Sequence, residues 1–179
     1  FTTKTHEFNL ISNDEGDFDW LLGAFYLDES IPVTLLRWNN LLFLPTGLAP
    51  NSRIITQADN TTRSVFGQMT WRFAPQWETQ IGARYSEDEQ VYARFALPGG
   101  APILGTTSTK SEEPTGKVAL NYKPDDASLF YVSLAKGYKA GGVNLQLADG
   151  NFQPEKNVVA ELGMKKKLLD NQLTLNSAV

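Results

Sequence analysis

Cysteine is absent and histidine occurs once, at His6. These two shortages remove disulfide frameworks, cysteine-ligated zinc, thiol nucleophiles and two-histidine metal motifs, and they weaken any histidine-based triad. Long hydrophobic runs are missing too. The longest, Trp20 to Leu27, falls far short of the ~18 apolar residues of a membrane helix. There is no excess of positive charge: 16 Lys and Arg stand against 20 Asp and Glu, a net charge of -4, which argues against a nucleic-acid-binding surface. What is present is the composition of an ordered chain, 41% hydrophobic and 11% aromatic over 179 residues, unlike the aromatic-poor signature of disorder. Both ends read as cut. The chain begins at Phe1 with neither an initiator Met nor a signal peptide, and it stops at Val179 inside an alternating run. It is therefore expected to be an internal piece of a longer protein, and missing targeting signals say nothing of its location.

Period-2 alternation dominates the chain and sends successive side chains to opposite faces of a sheet. Trp77, Thr79, Ile81, Ala83 and Tyr85 share one face; Glu78, Gln80, Gly82, Arg84 and Ser86 share the other. Val65, Gly67, Met69, Trp71 and Phe73 oppose Ser64, Phe66, Gln68, Thr70 and Arg72 in the same way. Gly116, Val118, Leu120 and Tyr122 oppose Thr115, Lys117, Ala119 and Asn121, and Ala160, Leu162 and Met164 face away from Glu161, Gly163 and Lys165. The pattern predicts strands over roughly 5–12, 18–29, 62–74, 77–93, 113–123, 128–140, 157–168 and 173–179. In 18–29 both parities are apolar, so its faces stay open. In 128–140, Phe130, Val132 and Leu134 read as outward, but Lys136 shares their parity. Glu161 to Leu169 also has helical propensity.

Two kinds of connection alternate. Short turns at 13–17, 74–76, 123–127 and 169–172 carry Asn, Asp, Gly or Pro. Long connections, about 30–61, 94–112 and 141–156, are rich in Pro, Gly, Asn, Ser and Thr. Short turns on one side and long loops on the other are the asymmetry of outer-membrane barrels. Aromatic placement agrees. Trp77 adjoins a short turn and Tyr85 lies toward a long loop, roughly 26 Å apart at ~3.3 Å per residue, close to the ~25 Å apolar band of such barrels. Trp20, Phe73, Tyr122 and Phe130 flank the turns, while Tyr26, Tyr92 and Tyr138 lie toward the loops, as two interfacial girdles require. The competing reading is a soluble β-sandwich whose aromatics fill a core. It needs a second sheet, and its strands would be unusually long.

Several stretches resemble the C-terminal barrel of TonB-dependent outer-membrane receptors. They are Trp20–Asp28 (WLLGAFYLD), Ser64–Gln68 (SVFGQ), Ile81–Ser86 (IGARYS), Leu129–Asn144 (LFYVSLAKGYKAGGVN), Pro154–Asn157 (PEKN) and Glu161–Lys165 (ELGMK). The resemblance implies an all-β, antiparallel, up-and-down transmembrane barrel with short periplasmic turns and long extracellular loops. Residues 1–179 would supply about eight of ~22 strands. The family's plug domain, TonB box and C-terminal strand have no counterpart in these residues. For the complete protein the resemblance implies a monomeric, multi-pass receptor in the outer membrane of a Gram-negative bacterium. It would import a scarce ligand, foremost a ferric siderophore or other iron complex, with energy from the TonB–ExbB–ExbD complex. It implies no enzyme activity, no nucleic-acid partner and no cofactor, iron being carried by the substrate. A passive porin-type channel, uptake of cobalamin or carbohydrate by the same fold, and a soluble β-rich binding module are the alternatives.

For an importer the relevant chemistry is binding. Glu78, Arg84, Lys117 and Glu161 are expected on the lumen face, as solvated wall or as contacts to a plug, and a polar inside accounts for a mean hydropathy of -0.29 in a membrane protein. In the apolar connection after residue 30, Arg37, Trp38 and Phe43 are candidates to grip an anionic, ring-bearing ligand, against packing on neighbours or lipid headgroups. The runs Asp14–Asp17 and Glu87–Glu89 lack the spacing of a calcium loop. Glu112 and Glu113 read as a loop pair on which nothing converges, and His6 reads as a surface or lumen residue. No metal site is expected.

Overall fold

The computed structural model describes residues 1–13, 16–36, 53–97, 102–143 and 151–179. They contain β1 (Thr2–Ile11), β2 (Phe18–Leu36), β3 (Arg53–Ala74), β4 (Trp77–Leu97), β5 (Pro102–Asp125), β6 (Ser128–Lys139), β7 (Gly142–Val143), β8 (Asn151–Phe152), β9 (Glu155–Leu168) and β10 (Leu173–Ala178). Eight strands form one antiparallel sheet in the order β1-β2-β3-β4-β5-β6-β9-β10, with β7 and β8 paired apart from it. Every long strand lies beside its sequence neighbours, which is an up-and-down meander. Glu161 to Leu168 is strand, not helix: hydrogen-bonded ladders to β6 and β10 override its propensity.

The expected strands are all present, and several outrun their expected ends. β3, β4 and β5 have 22, 21 and 24 residues, well beyond the ~9–11 needed to span a membrane. Residues 30–36, 53–61, 94–97 and 102–112, expected as loop, belong to the ladders. Above the apolar band both faces are polar, as in the pair Thr61 and Glu89 outside and the pair Thr62 and Asp88 inside, so pairing continues where the hydrophobic contrast that reveals it has ended.

The register assigns the faces. On the outer face Trp20, Met69, Ile81, Val118, Leu134 and Ala160 run side by side across six strands. One step toward the turns lie Phe18, Trp71, Thr79, Leu120, Val132 and Leu162, and below them Trp77, Tyr122 and Phe130. The Trp77 and Tyr122 rings meet in a tilted pair with centroids 4.6 Å apart, and Tyr122 and Phe130 stack at 6.4 Å, forming the aromatic row at the turn end. The open faces of β2 resolve: Trp20, Leu22, Ala24 and Tyr26 are outer, and Leu21, Phe25 and Leu27 are inner. At the loop end Tyr26 and Tyr85 remain on the outer face, but Tyr92 does not. Seven residues beyond Tyr85, it has the opposite parity, and its hydroxyl donates to inner-face Gln90 at 3.1 Å.

No apolar core exists among the described residues: Ala58 and Ala119 are the buried hydrophobic side chains. The apolar face is left bare, with Val65 60%, Leu22 53% and Leu162 61% exposed. The polar face is the crowded one, burying Ser64, Glu78, Ser86, Glu113 and Asn121, as expected on the concave side of a curling sheet. A soluble sandwich requires the reverse, because burial of apolar surface is what stabilises it in water.

Two inner-face glycines lie under aromatic rings. Gly23 pairs with Phe66 and Gly163 with Tyr131, and a Cβ on either glycine would run into the ring opposite.

Candidate functional site

The candidate site is the inner wall. Glu78, Arg84, Lys117 and Glu161 all project to this face, on β4, β5 and β9. Their surroundings divide them into two kinds. Glu78, at the turn end, accepts from Asn121 Nδ2 at 2.9 Å and Lys123 Nζ at 2.8 Å. Glu161 accepts from the Tyr131 hydroxyl at 2.5 Å. Both carboxylates are thus committed within the sheet. Arg84 is held differently. Its guanidinium lies 5.7 Å from the centroid of Phe25 and 5.4 Å from that of Phe66, a cation–π seat. Its Nε donates to Ser86 Oγ at 2.9 Å. Lys117, opposite Gly82, is exposed and has no ion pair with a described residue. Arg37, Trp38 and Phe43 lie outside the described residues.

Toward the loops a second set converges that sequence reasoning did not find. Pairing of β5 with β6 stops at Gly116 and Lys136, whereas β6 and β9 stay paired to Lys139 and Glu155. Freed from β5, the upper end of β6 turns onto the inner wall. Lys136 and Lys156 each reach Glu113 at 2.6 Å, the Tyr138 hydroxyl donates to Asp88, and Gly141 N donates to Ser111 Oγ at 3.2 Å. Two expectations are corrected here. Lys136 breaks the outward pattern because it neutralises Glu113, and Tyr138 belongs to the inner network rather than to an outer girdle. Glu112 and Glu113 are not a loop pair. They are strand residues on opposite faces, and each has a lysine partner.

On the outer face, just beyond Tyr85, Arg63 meets Glu87 at 3.1 Å, and Lys110 bridges Glu87 at 2.9 Å and Glu112 at 2.6 Å. Tyr85 donates its hydroxyl to Glu112 at 3.0 Å, which marks the upper edge of the apolar band. His6 stacks on Tyr26 at 6.4 Å on the same face. Glu87 and Glu89 point to one side and Asp88 to the other, so this run cannot converge on a cation.

Three of these carboxyls are held below their usual value of 4.5. Hydrogen bonding from Lys110 is the foremost cause for Glu87 and Glu112, and from Lys136 for Glu113. A carboxyl more acidic folded than unfolded contributes stability that is complete above the unfolded value and lost as pH falls through the folded one. Acidification below 4.5 is therefore expected to lower the thermal unfolding temperature. Glu113→Gln should lower the neutral-pH plateau and flatten the acid slope. Parallel acid slopes in parent and variant would overturn this assignment.

A bare apolar band with aromatic edges, a polar concave face, tight turns at one end and strands outrunning the membrane at the other define a section of transmembrane β-barrel wall. Residues 1–179 match the family of TonB dependent receptor-like β-barrel domains, and the chain belongs to it. Among solved structures it is similar to the ferric yersiniabactin uptake receptor FyuA from Yersinia pestis, at 20% identity and a TM-score of 0.78, covering 98% of this chain and 27% of that one. It is similar also to the ferric-catecholate import receptor Fiu from E. coli K12, at 19% identity and a TM-score of 0.71, covering 98% and 30%. A third is the siderophore receptor PiuA from Acinetobacter baumannii, at 19% identity and a TM-score of 0.71, covering 98% and 31%. The chain thus spans less than a third of the length of these receptors. At such identities the likeness concerns the fold.

Proposed function

We propose that the complete protein is an outer-membrane importer of an iron complex, foremost a ferric siderophore, in a Gram-negative bacterium. Membership of the TonB-dependent receptor barrel family carries this reading, and the ferric-chelate and siderophore ligands of the three similar receptors support the ligand class. Residues 1–179 supply wall: the apolar face meets lipid and the polar face meets the interior. A plug domain of the complete protein fills that interior, and the TonB–ExbB–ExbD complex supplies energy. The protein's part is binding and passage, with no bond making and no cofactor of its own; iron arrives in the substrate. Arg37, Trp38 and Phe43 remain candidates for ligand contact.

Deletion of the gene is expected to abolish growth on at least one defined ferric chelate as sole iron source, with growth restored by the full-length gene. Unchanged uptake of every iron source tested would reject the iron reading. Loss of cobalamin or carbohydrate uptake instead would keep the fold and change the cargo.

A further inference from the structure

Charge on the inner wall is unevenly settled. Glu78 has Lys123, Glu113 has two lysines, Asp19 has Arg72, and Glu161 and Asp88 accept from tyrosine hydroxyls. Arg84 and Lys117 are different. Neither has a carboxylate within ion-pair distance among the described residues. The register puts Lys117 opposite Gly82 and Arg84 opposite Thr115, so the two cations are diagonal neighbours with Cα atoms ~7–8 Å apart. Between them Gly82 contributes no side chain, and a Cβ placed there would meet nothing nearer than the Gly67 carbonyl oxygen at 3.8 Å. Ala119 and Ala135, small residues on the same face, extend this low floor. Phe25 and Phe66 flank the Arg84 guanidinium, its Nε is taken by Ser86 and its charge also acts on the Tyr138 hydroxyl, but its Nη fork has no carboxylate partner among the described residues. Such a fork matches a carboxylate in bidentate fashion.

Depth selects the occupant. Arg84 lies one residue below Tyr85, and Lys117 three below the Pro114 that pairs with Tyr85, so both sit within the membrane band rather than among the loops. Large barrels of this size class have a plugged lumen. A wall cation covered by an apolar plug surface would lose hydration without compensation, which is costly. We infer that Arg84 and Lys117, across the open floor at Gly82, form a docking site for an acidic side chain of the domain that fills the barrel. This rests on the receptor reading and adds to it the sign of the contact: the wall is cationic here, and the plug surface facing it is anionic.

The test uses the full-length receptor carrying Arg84→Glu with Lys117→Glu, and Arg84→Gln with Lys117→Gln as a milder pair. Cells are scored for sensitivity to vancomycin, a hydrophilic antibiotic too large for an occupied barrel, with receptor amount in the outer membrane measured alongside. Like charges brought together at an interface cost several kcal/mol, so the reversed pair is expected to lower the inhibitory concentration by at least about fourfold, and the neutral pair by less. Lys4→Glu, a reversal two residues before His6 and on the same outer face, should leave it unchanged. Unchanged sensitivity at parental receptor levels would overturn the site, as would an equal effect of Lys4→Glu. Altered ligand affinity with intact antibiotic exclusion would assign the cations to the ligand and overturn it too. Failure of the parent receptor to import any iron complex would reject the transport reading instead, and exclusion of vancomycin would still report on the wall.

Discussion

Ile81→Arg is expected to destabilise the barrel by about 2–4 kcal/mol, the depth-dependent cost of a charge on the lipid face near the bilayer midplane. Ile81 stands midway along β4 between the aromatic limits Trp77 and Tyr85, and it is 40% exposed with no protein layer over it. Its neighbours in the row are Met69 and Val118, so an arginine there has no partner. Gln80→Arg, one residue away, points to the polar inner wall and is expected to cost clearly less than Ile81→Arg. Urea titration of the full-length receptor in lipid vesicles, read by tryptophan fluorescence, measures both. Equal costs at 80 and 81 would mean that the two faces are not the lipid and lumen sides of one wall.

Gly23→Val has the second large expected effect, about 1–3 kcal/mol from overpacking. The Phe66 ring lies across Gly23, and Asn9 crowds the same space from β1. Phe66 cannot swing away freely, because it forms one side of the Arg84 seat. The cost is therefore expected to fall when Phe66 is first replaced by Ala, a coupling that a double-mutant cycle in the same titration resolves. Additive effects of Gly23→Val and Phe66→Ala would show that the ring is not what the new side chain meets.

Legibility followed contrast in hydrophobicity. Between Trp77 and Ser86 every second residue changes character, and the observed faces match that alternation residue by residue. In β2 both parities are apolar because Phe25 and Leu27 turn inward while Leu22 and Ala24 meet lipid, so no contrast existed to read. Above Tyr85 the outer face carries Arg63, Glu87 and Lys110 and the inner face Ser64, Ser86 and Ser111. Two polar faces look like loop in one dimension, which is why the ladders ran longer than expected. The site was legible to the extent that parity assigns a face: Glu78, Arg84, Lys117 and Glu161 share one. Parity does not tell which of them already have partners.

The amino-acid order alone determined the strand character of the apolar band, the direction of its lipid-side residues wherever polar and apolar side chains alternate, and the placement of the tight turns, because these depend on local periodicity and on residues that favour turns. The tertiary structure decided what depends on separation in the chain. Lys136 and Lys156 close on Glu113, and Tyr138 reaches Asp88 across β5, only because β6 leaves its partner at Gly116 and turns inward. The committed state of Glu78 and Glu161 and the open state of Arg84 and Lys117 were settled in the same way, by strand register, since a one-residue slip would exchange every one of these partners for a lipid-facing side chain.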